Sequence, residues 1–179
     1  MKKLKLLVLA FGLLIVAGSS AYAQNKTGYI SVDNMVALMP ETAKLDTLIK
    51  EYQTDSLQPR FNYTLTQFQR KDSIVNGKDS LKTPAAVRVK MREEMQQDLY
   101  ELQNWQAIVQ QATEAKQNQL LAPIYQKVYA AIQTVAKDNG YAYVYNKEAL
   151  LVAPPADDLL PLVAKKLNVK LPPGATAGK

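Results

Sequence analysis

Two short runs of β-forming residues, Tyr29-Ile30-Ser31-Val32 and Tyr141-Ala142-Tyr143-Val144-Tyr145, stand at either end of a long polar-apolar helical pattern. Between them glycine occurs only at Gly77 and at the very end, Gly140. Apolar residues recur there at spacings of three and four, the mark of a helix with one apolar face. The stretch far exceeds the ~8–20 residues of an ordinary globular helix. It must therefore fold back on itself or associate with other helices. The two flanking strands can hold the feet of a long helical hairpin.

The individual elements are set by local chemistry. Thr27 to Val32 predicts a strand, and Asp33 is suited to cap a short helical turn through Leu38. Pro40 suits the first turn of the next helix, expected from Glu41 to Val75. Leu45, Leu48, Ile49 and Tyr52, then Phe61, Leu65, Phe68 and Val75, mark its apolar face at coiled-coil spacing. Pro59 must kink or break that helix, because it removes a backbone donor. Asn76-Gly77-Lys78-Asp79-Ser80 is a break, and Thr83-Pro84 predicts a capped start.

The second long helix is expected from Ala85 to Asp138. Met91, Met95, Leu99, Leu102, Trp105, Val109 and Ala112 track one face, followed by Leu120, Ile124, Val128, Ile132 and Val135. Glutamines dilute this face, and Gly140 just past the helix suits its exit. Folding back at residues 76–83 places Pro59 opposite residues 103–105, so Pro59 marks a bend partway along the hairpin. Pro123 falls at the junction with the strands. At about 1.5 Å per residue the outward arm spans roughly 50 Å. Tyr141, Tyr143 and Tyr145 are expected on one strand face, and residues 149–152 as the returning strand of a hairpin. Asp157 or Asp158 caps a final helix with Leu160, Val163 and Leu167 on its apolar face.

The organisation expected is therefore a signal segment over 1–23, a β-rich body from 24–40 and 120–171, and a helical arm over 41–119. Residues 172–179 read as a disordered Pro/Gly/Ala tail. The signal reading rests on Lys2, Lys3 and Lys5, an apolar run to Ala17, and the Ala21-Tyr22-Ala23 end, with cleavage after Ala23. An uncleaved membrane anchor is the alternative reading of the same run. The fold class is α+β and predominantly helical. A small sheet of about three strands is marginal alone, and its edges invite another chain. A body closed by several copies into a barrel removes that deficit. Tyr29, Ile30, Val32, Tyr141, Tyr143, Tyr145, Leu150 and Val152 are the expected oligomer core.

Composition narrows the chemistry. Cysteine and histidine are both absent. That removes disulfides, thiolates, the usual general base and the commonest metal ligand. No catalytic residue, cofactor or metal is expected, and the chain does not read as an enzyme. Its formal charge is +6, with 22 basic and 16 acidic residues, but three of the lysines lie in the signal segment. The remaining positive charge concentrates between Arg70 and Arg92, where seven basic residues face only Asp72 and Asp79.

The order of motifs resembles the Skp/OmpH family of periplasmic chaperones for outer-membrane proteins. The residues that carry it are Gly28-Tyr29-Ile30-Ser31-Val32-Asp33, Leu38-Met39-Pro40-Glu41, the run from Ile132 to Tyr145, and Asp157-Asp158-Leu159. The resemblance implies a homotrimer with a β-barrel body and three helical arms around a cavity. It implies an ATP-independent periplasmic holdase whose partners are unfolded outer-membrane proteins. The arms here are richer in glutamine and less charged than in well-known members.

A holdase needs many weak, replaceable contacts. Phe61, Tyr63, Phe68, Met91, Met95, Tyr100 and Trp105, with the cations Lys78, Lys82, Arg88 and Lys90, are the candidate client-binding set. Of these, Phe61, Phe68 and Trp105 read as hairpin seam ahead of client surface. Two other functions compete. One is an envelope protein binding anionic lipid through the basic segment; the other is a coiled-coil spacer without clients. Nucleic acid is not an expected partner, since the basic segment lacks interleaved aromatic residues.

Overall fold

The computed structural model describes residues 25–78 and 80–172. The expected signal segment and, but for Pro172, the expected tail lie outside the described residues. The chain is mostly helical with a small sheet. Strand β1 (Lys26–Ile30) leads into α1 (Val32–Ala37). A 3-10 turn, Thr42–Lys44, then opens onto α2 (Leu45–Tyr52). A π-helical segment, Gln53–Leu57, joins α2 to α3 (Gln58–Asn76) without a break. After a 3-10 turn at Ser80–Lys82, α4 (Ala85–Gln103) and α5 (Trp105–Asp138) return. Strand β2 (Tyr141–Asn146) and helix α6 (Leu160–Lys166) complete the fold.

Strands β1 and β2 pair in parallel. Parallel neighbours cannot be joined by a tight turn and need a long crossover. Here the crossover is the whole helical excursion from α1 to α5. The sheet has two strands among the described residues, so the expected third strand at 149–152 is corrected. Lys147–Ala149 is a 3-10 turn, and Leu151 and Val152 lie exposed outside any strand. Pro154 and Pro155 follow after Ala153, and neither can donate a ladder hydrogen bond. One isolated bridge, Tyr29 with Asp158, stands in that place, and the Leu159 N–H donates to the Tyr29 carbonyl at 2.8 Å.

The register slips between Lys26 and Thr27: Lys26 pairs with Tyr141 but Thr27 with Tyr143. The extra residue, Ala142, moves Tyr141 onto a different face from Tyr143 and Tyr145. Tyr141 and Val144 pack on the core, while Tyr143 and Tyr145 stack outward with ring centroids 6.5 Å apart. The expected face of three tyrosines is thus split. Gly28 sits beneath this arrangement, where a Cβ would fall 2.2 Å from Leu159 Cδ1 and 2.9 Å from Tyr141 Cε1.

The core lies at the strand end. Ile30, Met35, Met39, Val128, Leu159 and Val163 are its fully buried large side chains. Helix α5 supplies Ile124, Val128, Ile132 and Val135, one face at helical spacing. At the entry to α1 the cap is Ser31, whose Oγ accepts from the Asn34 N–H and donates to Glu148. Asp33, expected in that role, instead accepts from the Tyr125 hydroxyl at 2.7 Å. Strand β1 correspondingly ends at Ile30, and Val32 is already helical. Leu159 holds the cap position of α6, and Asp158, one residue before it, accepts from the Leu160 N–H at 2.9 Å. At the start of α4, Pro84 occupies the cap position itself and the Thr83 side chain makes no cap bond.

Candidate functional site: the helical pair and its two ends

Helices α3 and α4 run antiparallel. Arg60 pairs with Glu101 at 2.8 Å, and Lys71 sits between Asp98 at 2.8 Å and Glu94 at 3.3 Å. Little of this pair is buried: Thr64 and Val75 on α3, and no residue of α4. Phe61, Phe68, Met91, Met95 and Trp105 are half-buried between the helices, whereas Tyr63 and Tyr100 are 66% and 69% exposed. The candidate client-binding residues are therefore divided between seam and surface. Hydrogen bonding to Asp98 raises the Lys71 pKa, with desolvation opposing and Glu94 adding to it.

Both helices depart from α geometry at one level. Pro59 forces this on the outward side. It has no N–H to offer residue 55 and its ring crowds that carbonyl. The π-helical turn Gln53–Leu57 absorbs the conflict, adding a residue and rotating the helix beyond it. Its consequence is legible in the burial: Leu57 and Thr64 point inward, neither of them on the expected apolar face. On the return side the expected single helix is interrupted at Asn104, which separates α4 from α5. Both the backbone N–H and the Nδ2 of Asn104 donate to the Tyr100 carbonyl, at 3.1 and 2.8 Å. Between the two defects Phe61 and Trp105 meet with centroids 5.2 Å apart. Beside them opens a cleft of about 680 Å³.

The far end of the pair is basic. Lys78, Lys82 and Lys90 are exposed and Arg88 is half-buried. Leu81, in the turn, is 86% exposed, and Val87 and Val89 are exposed beside it. The strand end presents a second apolar surface. Of the expected oligomer-core residues, Tyr29, Ile30 and Val32 are consumed in the chain's own core, and Tyr141 and Leu150 are half-buried. Tyr143, Tyr145 and Val152 face outward, as does Leu151.

Near the base of the pair, Lys127 Nζ donates to Glu41 at 2.6 Å, and that hydrogen bond lowers the Glu41 pKa. Pro123 lies in the same cluster with Glu41 and Leu45, at the level expected for it. Among the described residues no cluster of acidic side chains could hold a metal ion, and no helix is long and apolar enough to cross a membrane.

Comparison with known proteins adds a family to this geometry. A crystal structure from Caulobacter crescentus CB15, provisionally described as an outer membrane chaperone (OmpH-like), shares 19% identity with this chain. The match covers 84% of this chain and 88% of that one, with a TM-score of 0.49. No curated protein matches. The family model described as outer membrane protein (OmpH-like) matches residues 26–167, which include both strands and helices α1 to α6, and the chain belongs to that family.

Proposed function

We propose that this protein is an ATP-independent holdase of the periplasm, which keeps unfolded outer-membrane proteins from aggregating between helical arms. The observation that carries this reading is the uneven distribution of burial. The contiguous core lies at the strand end, while the α3–α4 pair buries only Thr64 and Val75 and leaves apolar and aromatic side chains such as Tyr63, Leu99 and Tyr100 in solvent. A helical pair that invests so little in its own packing is suited to hold something else. Membership of the OmpH-like family supports the same reading.

Clients in transit are unfolded chains with alternating apolar residues, which aggregate through apolar burial and strand pairing. Many replaceable contacts with flexible Met91 and Met95 and with the exposed aromatic residues shield such a chain without fixing it. The basic far end would attract acidic clients over a Debye length of about 8 Å at physiological salt. The outward-facing Tyr143, Tyr145, Leu151 and Val152 are the surface through which copies would assemble, as a trimer in this reading, with the arms enclosing a shared cavity.

The test uses residues 24–179. An outer-membrane barrel protein is diluted from urea and its light scattering followed, while the mass of the added protein is measured in solution. Suppression at near-stoichiometric amounts by a trimer is the expected outcome. A stable oligomer that leaves aggregation unchanged would refute the holdase reading and favour a spacer. Exposed Leu81 among the cations favours one secondary reading, contact with anionic lipid at the far end. Neutralising Lys78 and Lys90 would then abolish vesicle binding and leave client binding intact.

A further inference from the structure

The coincidence of the two helix defects leaves a built feature at mid-length. The cleft beside the π-helical segment has an apolar floor of Leu57, Trp105 and Val109. Its volume of about 680 Å³ lies within the usual range of small-ligand pockets, roughly 300–1,000 Å³. Gln53 Nε2 donates to Thr113 Oγ1 at 3.4 Å across one end, and the Phe61–Trp105 contact adjoins Trp105 on the floor. Carboxamides of Gln53, Gln106 and Gln110 stand on the rim.

The lining selects its occupant. No lysine or arginine is among the lining residues. A phosphate, a sulfate or a lipid headgroup therefore meets no cation here. The one formal charge is Glu114, whose Oε1 already accepts from Gln110 Nε2 at 3.1 Å. What such a rim does match is an uncharged peptide backbone. Each carboxamide offers one acceptor and two donors, the same groups an extended chain leaves unpaired. The apolar floor then suits a single bulky side chain of that segment.

We infer that this cleft is an anchoring subsite for an extended, uncharged polypeptide segment, which inserts one aromatic or large aliphatic side chain over Leu57, Trp105 and Val109. The inference rests on the holdase reading and adds to it a specific point of attachment among otherwise diffuse contacts. The site exists because Pro59 and Asn104 interrupt opposite helices at the same level. Two uninterrupted helices would close it.

Trp105 is the chain's one tryptophan, so tryptophan emission reports on this one position in the cleft lining. The experiment titrates the protein, residues 24–179, with a blocked, tryptophan-free peptide alternating threonine with valine and phenylalanine. A saturable blue shift of Trp105 emission is expected. Val109→Arg should weaken peptide binding about tenfold or more, equivalent to about 1.4 kcal/mol. Should circular dichroism show Val109→Arg misfolded, the double variant Gln106→Ala with Gln110→Ala removes two rim carboxamides and leaves the floor intact. It should weaken binding several-fold. An unmoved Trp105 in a protein that still suppresses client aggregation would overturn the inference while the holdase reading stands. A shift caused by anionic vesicles but not by the peptide would also overturn it. Loss of client suppression in the unaltered protein would instead count against the function itself.

Discussion

Phe61 and Trp105 lock the helical pair where both of its members are irregular. Their rings are 5.2 Å apart and inclined by 51°, a tilted contact within the roughly 4.5–7 Å centroid range of favourable aromatic pairs. Neither ring is fully buried. Such a pair contributes about 0.5–1.5 kcal/mol beyond its area. A double-mutant cycle with Phe61→Ala and Trp105→Ala, read by urea unfolding under circular dichroism, should return a coupling of that size. A coupling near zero would mean the rings merely lie close.

Gly28 leaves no room for a side chain between the sheet and Leu159 at the start of the last helix. A Cβ there would meet Leu159 Cδ1 at 2.2 Å, and Leu159 is fully buried with no room to retreat. Gly28→Val should therefore destabilise by about 1–3 kcal/mol through overpacking. The urea midpoint measures it. The backbone at Gly28 is ordinary strand, so the effect would come from crowding rather than from conformational strain.

The two ends of the molecule should respond to truncation in opposite ways. Leu159→Ala opens a cavity in a fully enclosed site and should cost about 2–5 kcal/mol. Leu81→Ala removes a side chain already 86% in water and should change stability by less than about 0.5 kcal/mol. If Leu81→Ala alters vesicle binding while stability holds, the basic end contacts lipid.

Much of the architecture could be read from residues alone, for reasons specific to them. Gly77 stops α3 and Gly140, at φ +70°, ends α5, both at positions no helix interior would choose. The spacing of Ile124, Val128 and Ile132 was equally legible. What escaped depended on register. One extra residue at Ala142 separates Tyr141 from its two neighbours, and the π-helical turn exchanges Leu65 for Thr64 as the buried residue. Period arguments carry no warning of either, since each assumes an unbroken repeat. Asn104 offered a faint signal: a poor helix former, placed opposite Pro59, able to bond back to its own helix. The stretch 149–152 has strand-forming residues, but strand formation is settled by a partner edge, and here Asp158 takes up the bridge to Tyr29.

Lys71 supplies the last prediction, because it is the polar clasp of an otherwise thinly packed pair. Its ammonium is held by Asp98 and Glu94 with only 16% of the side chain exposed. The hydrogen bond to Asp98 raises its pKa above the ordinary lysine value, desolvation notwithstanding. A group whose pKa is higher in the folded state binds its proton more tightly there, so the added stability is complete below the unfolded pKa. It is lost as pH climbs through the folded one. The wild-type protein should accordingly lose stability as pH rises beyond the usual lysine range near 10.4. Lys71→Met should blunt that alkaline loss, and it should lower stability at neutral pH by about 1 kcal/mol, as expected for a partly buried pair. Urea midpoints at neutral and alkaline pH for both proteins measure the two effects together. Parallel pH profiles would show that Lys71 contributes through its aliphatic stem rather than through its charge.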